Sequence, residues 1–148
     1  MPPEPHADSW TTLRDKLAQS IRGLEVNDYL IITHEPTGQY IQFVGQRYGV
    51  RAEAQSNEMR DIGLTKKNCK ELENLGWNPP NSKVSHGSPN FYLDAALPVP
   101  YEDLAALTID SFREVYGVEH AWELVYKAFD KKQRILRFPL LSLRCEVE

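Results

Sequence analysis

Apolar residues recur along this chain with two periods, and the switches between them divide it into elements. Leu13, Leu17, Ile21 and Leu24 return at helical spacing with Arg14, Asp15, Lys16 and Gln19 between them, which predicts an amphipathic helix of about four turns. Asp8 or Ser9 is placed to cap its start and Gly23 to end it. Tyr29 to Thr33 is dense in β-branched and aromatic residues and reads as a strand. Glu35-Pro36-Thr37-Gly38 is a turn, because proline presets one φ and glycine accepts a positive one. Tyr40 to Val44 is the second strand, and Gln46 to Gly49 turns the chain again. Val50, Ala52 and Ala54 then alternate with Arg51, Glu53 and Gln55, a period of two that sends apolar and polar side chains to opposite faces. Three strands joined by turns this short form an antiparallel meander.

Asn57 to Gly63 connects to a helix that Thr65 caps and that runs to about Leu75, with Gly76 at its C-terminal stop. Tyr40 to Trp77 is thus a hairpin plus a helix, and the other elements add to it. Trp77 to Pro89, with W-N-P-P-N-S-K and H-G-S-P, reads as an irregular connection longer than most in compact domains. From Asn90 to Leu97 the strand period returns, with Phe91, Leu93, Ala95 and Leu97 on one face and Tyr92, Asp94 and Ala96 on the other. Pro98 and Pro100 lead into a helix from Tyr101, with Glu102 and Asp103 in its first turn and Ala105, Ile109, Phe112 and Tyr116 on its apolar side. Gly117 ends it. Val118, Trp122, Val125 and Phe129 then predict a second closing helix. Leu141, Leu143, Cys145 and Val147 alternate with Ser142, Arg144, Glu146 and Glu148. That is a strand pattern, expected at a sheet edge because Pro139 precedes it.

Composition bounds this picture. A chain of 148 residues with 41% hydrophobic content is one domain that can bury a core without staples. The expected organisation is a disordered lead-in over residues 1–8, an α+β domain over 9–130 and a basic tail over 131–148. Prolines crowd the lead-in, whose opening M-P-P-E-P-H-A-D lacks the basic and apolar regions of a secretory signal. Tyr101 to Asp130 holds seven acidic residues against Arg113 and Lys127, while Lys131, Lys132, Arg134, Arg137 and Arg144 make the tail basic. A net charge of −4 argues against a general nucleic-acid or membrane-surface partner. No apolar run approaches the roughly 20 residues that span a bilayer. Cys69 and Cys145, far apart and in different elements, fit a reduced cytoplasmic protein rather than a disulfide framework.

Candidate chemistry is sparse. Of His6, His34, His86 and His120, only His120 with Glu123 has a spacing near a metal pattern, and an isolated pair of this kind is weak. No metal or cofactor is expected. His34 reads as a satisfied surface residue beside Glu35. Neither cysteine has a flanking signature, no serine sits in a nucleophile elbow, and Gly45 and Gly49 are turn glycines rather than a phosphate loop. Asp94 reads as an outward residue of its strand. Among the aromatics, Trp122 on its helical stripe reads as core. Trp77 reads equally as buried anchor or contact surface.

Five stretches carry a family resemblance: Y-I-Q-F at Tyr40 to Phe43, V-R-A-E-A-Q-S-N at Val50 to Asn57, L-G-W at Leu75 to Trp77, Asn90-Phe91, and Y-G-V-E-H-A-W-E-L-V-Y at Tyr116 to Tyr126. Over roughly Ser9 to Asp130 the chain resembles the bacterial YbjN-like and TY-Chap families, which share the type III secretion chaperone-like fold. The last stretch looks like the closing helix of the family. The resemblance implies a cytoplasmic, non-enzymatic, chaperone-like protein with an unidentified client protein and a possible homodimer. It carries no catalytic residues over. The chain departs from the simple pattern by two helices after the last strand and by the basic tail, which puts the usual dimer interface in question.

Tyr40, Gln42 and Val44 point to one side of the second strand, Ile41 and Phe43 to the other. Large groups on both sides call for cover on both, from a second subunit, from a client or from helices of the same chain. The expected protein-binding residues are Tyr40, Gln42, Val44, Trp77 and Tyr92. The alternative is a small enzyme or ligand-binding domain with its site in the 77–89 loop, using His86 and Asp94. A third is a structural subunit whose C-terminal strand completes a partner's sheet.

Overall fold

A computed structural model describes residues 7–58 and 60–146. The lead-in over 1–6, with His6, and Val147 and Glu148 of the tail pattern lie outside the described residues. The first helix, α1 (Ala7–Arg22), starts earlier than the sequence suggests. Ala7 and Asp8 are already helical. The alternating segments form β1 (Tyr29–His34), β2 (Tyr40–Gln46) and β3 (Gly49–Ala54), each antiparallel to the next. Helix α2 (Lys66–Leu75) begins in a reciprocal cap: the Asn68 N–H donates to Thr65 Oγ1 and the Thr65 N–H to Asn68 Oδ1, both at 3.0 Å. Gly76 ends it at φ 130°, a region closed to most side chains.

Strand β4 (Phe91–Ala96) pairs antiparallel with β3, and α3 (Tyr101–Asp110) follows. It widens into a π-helical turn over Ser111–Val115. Thr108 Oγ1 donates to the Leu104 carbonyl at 2.8 Å and Ser111 Oγ to that of Leu107 at 2.7 Å. Such back-bonding loosens a helix, and the Tyr116 N–H reaches Ser111 O, five residues back.

The predicted second closing helix does not exist. Ala121–Glu123 is a single 3₁₀ turn and Leu124–Phe129 is β5, antiparallel to β1. Leu124, Val125 and Tyr126 are all buried, so this strand lost the alternation that would have marked it. Trp122, read as core, is instead 44% exposed and stacked on His120. The tail follows with a 3₁₀ turn at Pro139–Leu141 and a short β6 (Arg144–Cys145) parallel to β5. Among the described residues of the alternating run, Arg144 and Cys145 pair, and they pair within their own chain. Leu141 is buried in the core, Phe138 packs edge-on against Tyr126, and Ser142 turns through a left-handed conformation.

The sheet runs β4-β3-β2-β1-β5-β6. One face carries Leu30, Ile32, Ile41, Phe43, Ala52 and Phe91, all at most 2% exposed. They join the buried residues of α1 and α3, Leu72 of α2 and Leu141 in one cluster. The three α-helices among the described residues therefore lie on this face. No described helix is long and apolar enough to cross a membrane.

Candidate functional site

With the helices on one side, the opposite face of the sheet stays open. Cross-strand register sets its side chains in rows. One row runs Asp94, Arg51, Val44, Tyr29, Phe129; the next runs Tyr92, Glu53, Gln42, Ile31, Lys127; Tyr40 and Thr33 begin a third. Tyr29 stacks on Phe129 at 5.1 Å between ring centres. Tyr40, Gln42, Val44, Ile31 and Tyr92 are all half-buried. Over the second and third rows lies an open cavity of about 410 Å³, lined among others by Ile31, Tyr40, Gln42, Lys127 and Glu146. Its floor mixes aliphatic, aromatic, amide and ammonium groups.

The connection after α2 is irregular, as its composition predicts, but it is folded back on itself: Asn78 and Tyr92 exchange backbone hydrogen bonds, as do Asn81 and Ser88, and the paired segments form an arm. Gly87 lets the segments meet, since a Cβ there would lie 1.6 Å from Asn81 O. Arg51 fastens the arm to the sheet. Its guanidinium donates to the carbonyls of His86 and Gly87, each at 3.0 Å, and to the Asp94 carboxylate, with Nε on Glu53 at 3.0 Å. It also lies 4.7 Å over the Tyr92 ring. Glu53 accepts further from Ser88 Oγ and Asn90 Nδ2, and Asn90 Nδ2 also reaches Tyr40 Oη. The arm therefore walls the open face beside β3 and β4, and Glu146 stands at the opposite rim.

Tyr40, Gln42, Val44 and Tyr92 thus share one surface. Trp77 does not. It is 3% exposed and its Nε1–H donates to Ser111 Oγ at 2.8 Å, so it is the buried anchor of its two readings. Tyr29, Ile31, Thr33, Arg51 and Glu53 were missed as site residues, although strand parity alone puts them on this side. Lys127 and Phe129 carried no such signal, because their strand resembles a helix in sequence.

His86 and Asp94 do meet at Arg51, but through the His86 carbonyl; its imidazole is exposed. His34 is not a surface residue. It is 7% exposed, with Nδ1 2.8 Å from Thr37 Oγ1 and Nε2 3.2 Å from Glu123 Oε1. Glu123, brought in by the turn before β5, also accepts the His120 backbone N–H. No group of three or more His, Cys, Asp or Glu suited to a metal occurs among the described residues. Burial, with Glu73 nearby, pushes the Cys69 thiol up, opposite to what a nucleophile needs.

Comparison with known families gives one match. A family model, TY-Chap3, described as T3SS (YopN, CesT) and YbjN peptide-binding chaperone 3, covers residues 4–130. It ends one residue past β5 and leaves out the tail with β6. No curated protein and no solved structure matches the chain.

Proposed function

This chain belongs to the TY-Chap3 family of peptide-binding chaperones, and on that premise we propose that it holds a segment of a client protein on the open face of its sheet. The role is binding, without catalysis, in the cytoplasm. The observation that carries this reading is the six-stranded sheet with every described α-helix on one side. The other side is left with a half-buried band of Tyr40, Gln42, Val44, Ile31 and Tyr92. Such a band is too polar to demand permanent cover and apolar enough to reward a transient partner. Lys127 and Glu146 at its cavity supply one charge of each sign for orienting a bound segment. The net charge of −4 supports a protein partner over nucleic acid.

The test is selection of short peptides from a random library on the whole protein, followed by titration and mapping of amide shifts. Shifts should concentrate at Ile31, Tyr40, Gln42, Val44 and Tyr92. Ile31→Asp should weaken binding by about tenfold or more, roughly 1.4 kcal/mol, with the fold intact. Shifts confined to the helical side would sink the reading. A sedimentation run on the free protein separates client binding from dimerisation. If a second copy covers the face, the mass doubles and selected peptides compete with it.

A further inference from the structure

The charged side chains of the open face fall into two groups. At the β3–β4 end, Arg51 pairs with both carboxylates near it: its Nε lies 3.0 Å from Glu53 Oε2 and its Nη1 3.0 Å from Asp94 Oδ2. Glu53 also accepts from Ser88 and Asn90. These charges satisfy one another and hold the arm. At the other end stand Lys127 and Glu146. Both line the cavity of about 410 Å³, with Ile31, Tyr40 and Gln42 beside them. Among the described residues neither side chain has an ion pair or a hydrogen bond.

Register explains how these two charges come to stand together. Val125 lies opposite Arg144 and Tyr126 opposite Cys145 in parallel pairing, so the next residue of the tail, Glu146, comes beside Lys127. The Glu146 N–H donates to Tyr126 O at 2.6 Å and fixes it there. The Arg144–Glu35 ion pair and the hydrogen bond from Lys16 Nζ to Ser142 Oγ, 3.1 Å long, hold the approach to that point. Leu141, buried in the core, anchors it. Lys127 in turn lies opposite Ile31, and Ile31 opposite Gln42. The order across the strands is therefore amide, apolar group, cation and anion, at steps of about 4.8 Å. The family match ends at residue 130. It includes Gln42, Ile31 and Lys127, whereas the anion comes from the tail, outside the matched residues.

We propose that Lys127 and Glu146 determine specificity by selecting a client segment for the order of its charges, an inference that rests on the open-face reading above. The segment it fits carries an apolar, an acidic and a basic residue at alternate positions, which an extended chain presents on one side. Laid across the strands, it sets the apolar side chain on Ile31, the carboxylate on Lys127 and the ammonium or guanidinium on Glu146. Alternate residues of an extended chain lie about 6.8 Å apart, and the length of the charged side chains takes up the difference from the strand spacing. The same segment with its two charges exchanged meets like charge at both positions. Exposed ion pairs contribute little each. Contact with Ile31 and Tyr40 therefore supplies the affinity, and the two charges supply the choice between segments.

The experiment titrates two peptides of identical composition onto the full chain and follows amide shifts. One carries leucine, leucine, glutamate and lysine at alternate positions, with serine between them; the other has glutamate and lysine exchanged. The first should bind about fivefold or more tightly. Its advantage should shrink between about 0.1 and 1 M salt, as the screening length falls from about 10 to 3 Å. Lys127→Glu or Glu146→Lys alone should abolish the preference, and the two together should invert it. A role in stability alone cannot produce that inversion. Equal affinity for the two peptides, with shifts at Ile31 and Tyr40, overturns the charge selection and leaves the open-face reading standing. A preference unchanged in the double variant does the same. Coupling between Lys127→Ala and Glu146→Ala in denaturant unfolding, with no peptide preference, would show that the two charges serve each other and also overturns it. No shift on the open face with either peptide overturns both readings.

Discussion

Ile41 and Phe43 are sealed at 0% exposure, while Tyr40, Gln42 and Val44, their neighbours in the same strand, are half-buried. The two sets differ only by strand parity, yet they do different work. On the helical face, side chains from α1, α3 and the tail close over the sheet, and each group is fixed by its neighbours. On the open face the rows touch one another sideways, and the arm meets them at the β3–β4 end. A sealed face contributes to stability at almost any sequence of suitable volume. An open face of tyrosine, glutamine, isoleucine and lysine contributes little to stability, so its composition points to recognition.

The sharpest test of this contrast is truncation on either side of β2. Phe43→Ala should cost about 3–5 kcal/mol in denaturant unfolding; a small loss there would mean the helical face is not the closed one. Arg51→Ala follows, at about 2 kcal/mol for charge-assisted hydrogen bonds in a half-buried site. Faster amide exchange at Asn81 and Ser88 should accompany it as the arm comes loose. Tyr116→Phe should cost about 1 kcal/mol by removing the hydrogen bond, 2.7 Å long, from its hydroxyl to the Gln55 carbonyl. This phenol also sets an alkaline limit. Burial, then Tyr40 and Cys69, push it above its ordinary 10.0. Its contribution is therefore whole below pH 10 and erodes as the pH rises beyond it. In Tyr116→Phe the alkaline limb of the stability profile should be flatter. The smallest effect belongs to Gln42→Ala and Val44→Ala, each within about 1 kcal/mol in stability. They should nonetheless reduce peptide binding on the open face.

Much of the contrast could be read from the chain before any coordinates. Val50-Arg51-Ala52-Glu53-Ala54 alternates cleanly, because β3 has one face sealed and one face open. Thr65 and Gly76 announced the ends of α2 through their own local chemistry. What failed had a common cause, contact between residues distant in sequence. β5 is buried on both faces near its start, so Leu124-Val125-Tyr126 reads as a continuous apolar run that also fits a helix. His34 is buried by Glu123, 89 residues away, and nothing local marks it. The 77–89 segment is irregular as its prolines announce, but its fastening to Arg51 through the His86 and Gly87 carbonyls has no local mark. Of the expected binding residues, the four on strands share one surface. Trp77 does not, because the turn at Gly76 swings it under the sheet toward Ser111.

The strand order also has a kinetic side. β1 pairs with β2 close at hand, but its other neighbour is β5, so Tyr29 waits for Phe129. Closing so long a loop is slow. During synthesis, which proceeds at about 5–20 residues per second, β1 stands as a bare edge for several seconds, with Leu30 and Ile32 only partly covered. A member of a peptide-binding chaperone family would, for that interval, be in need of shelter itself.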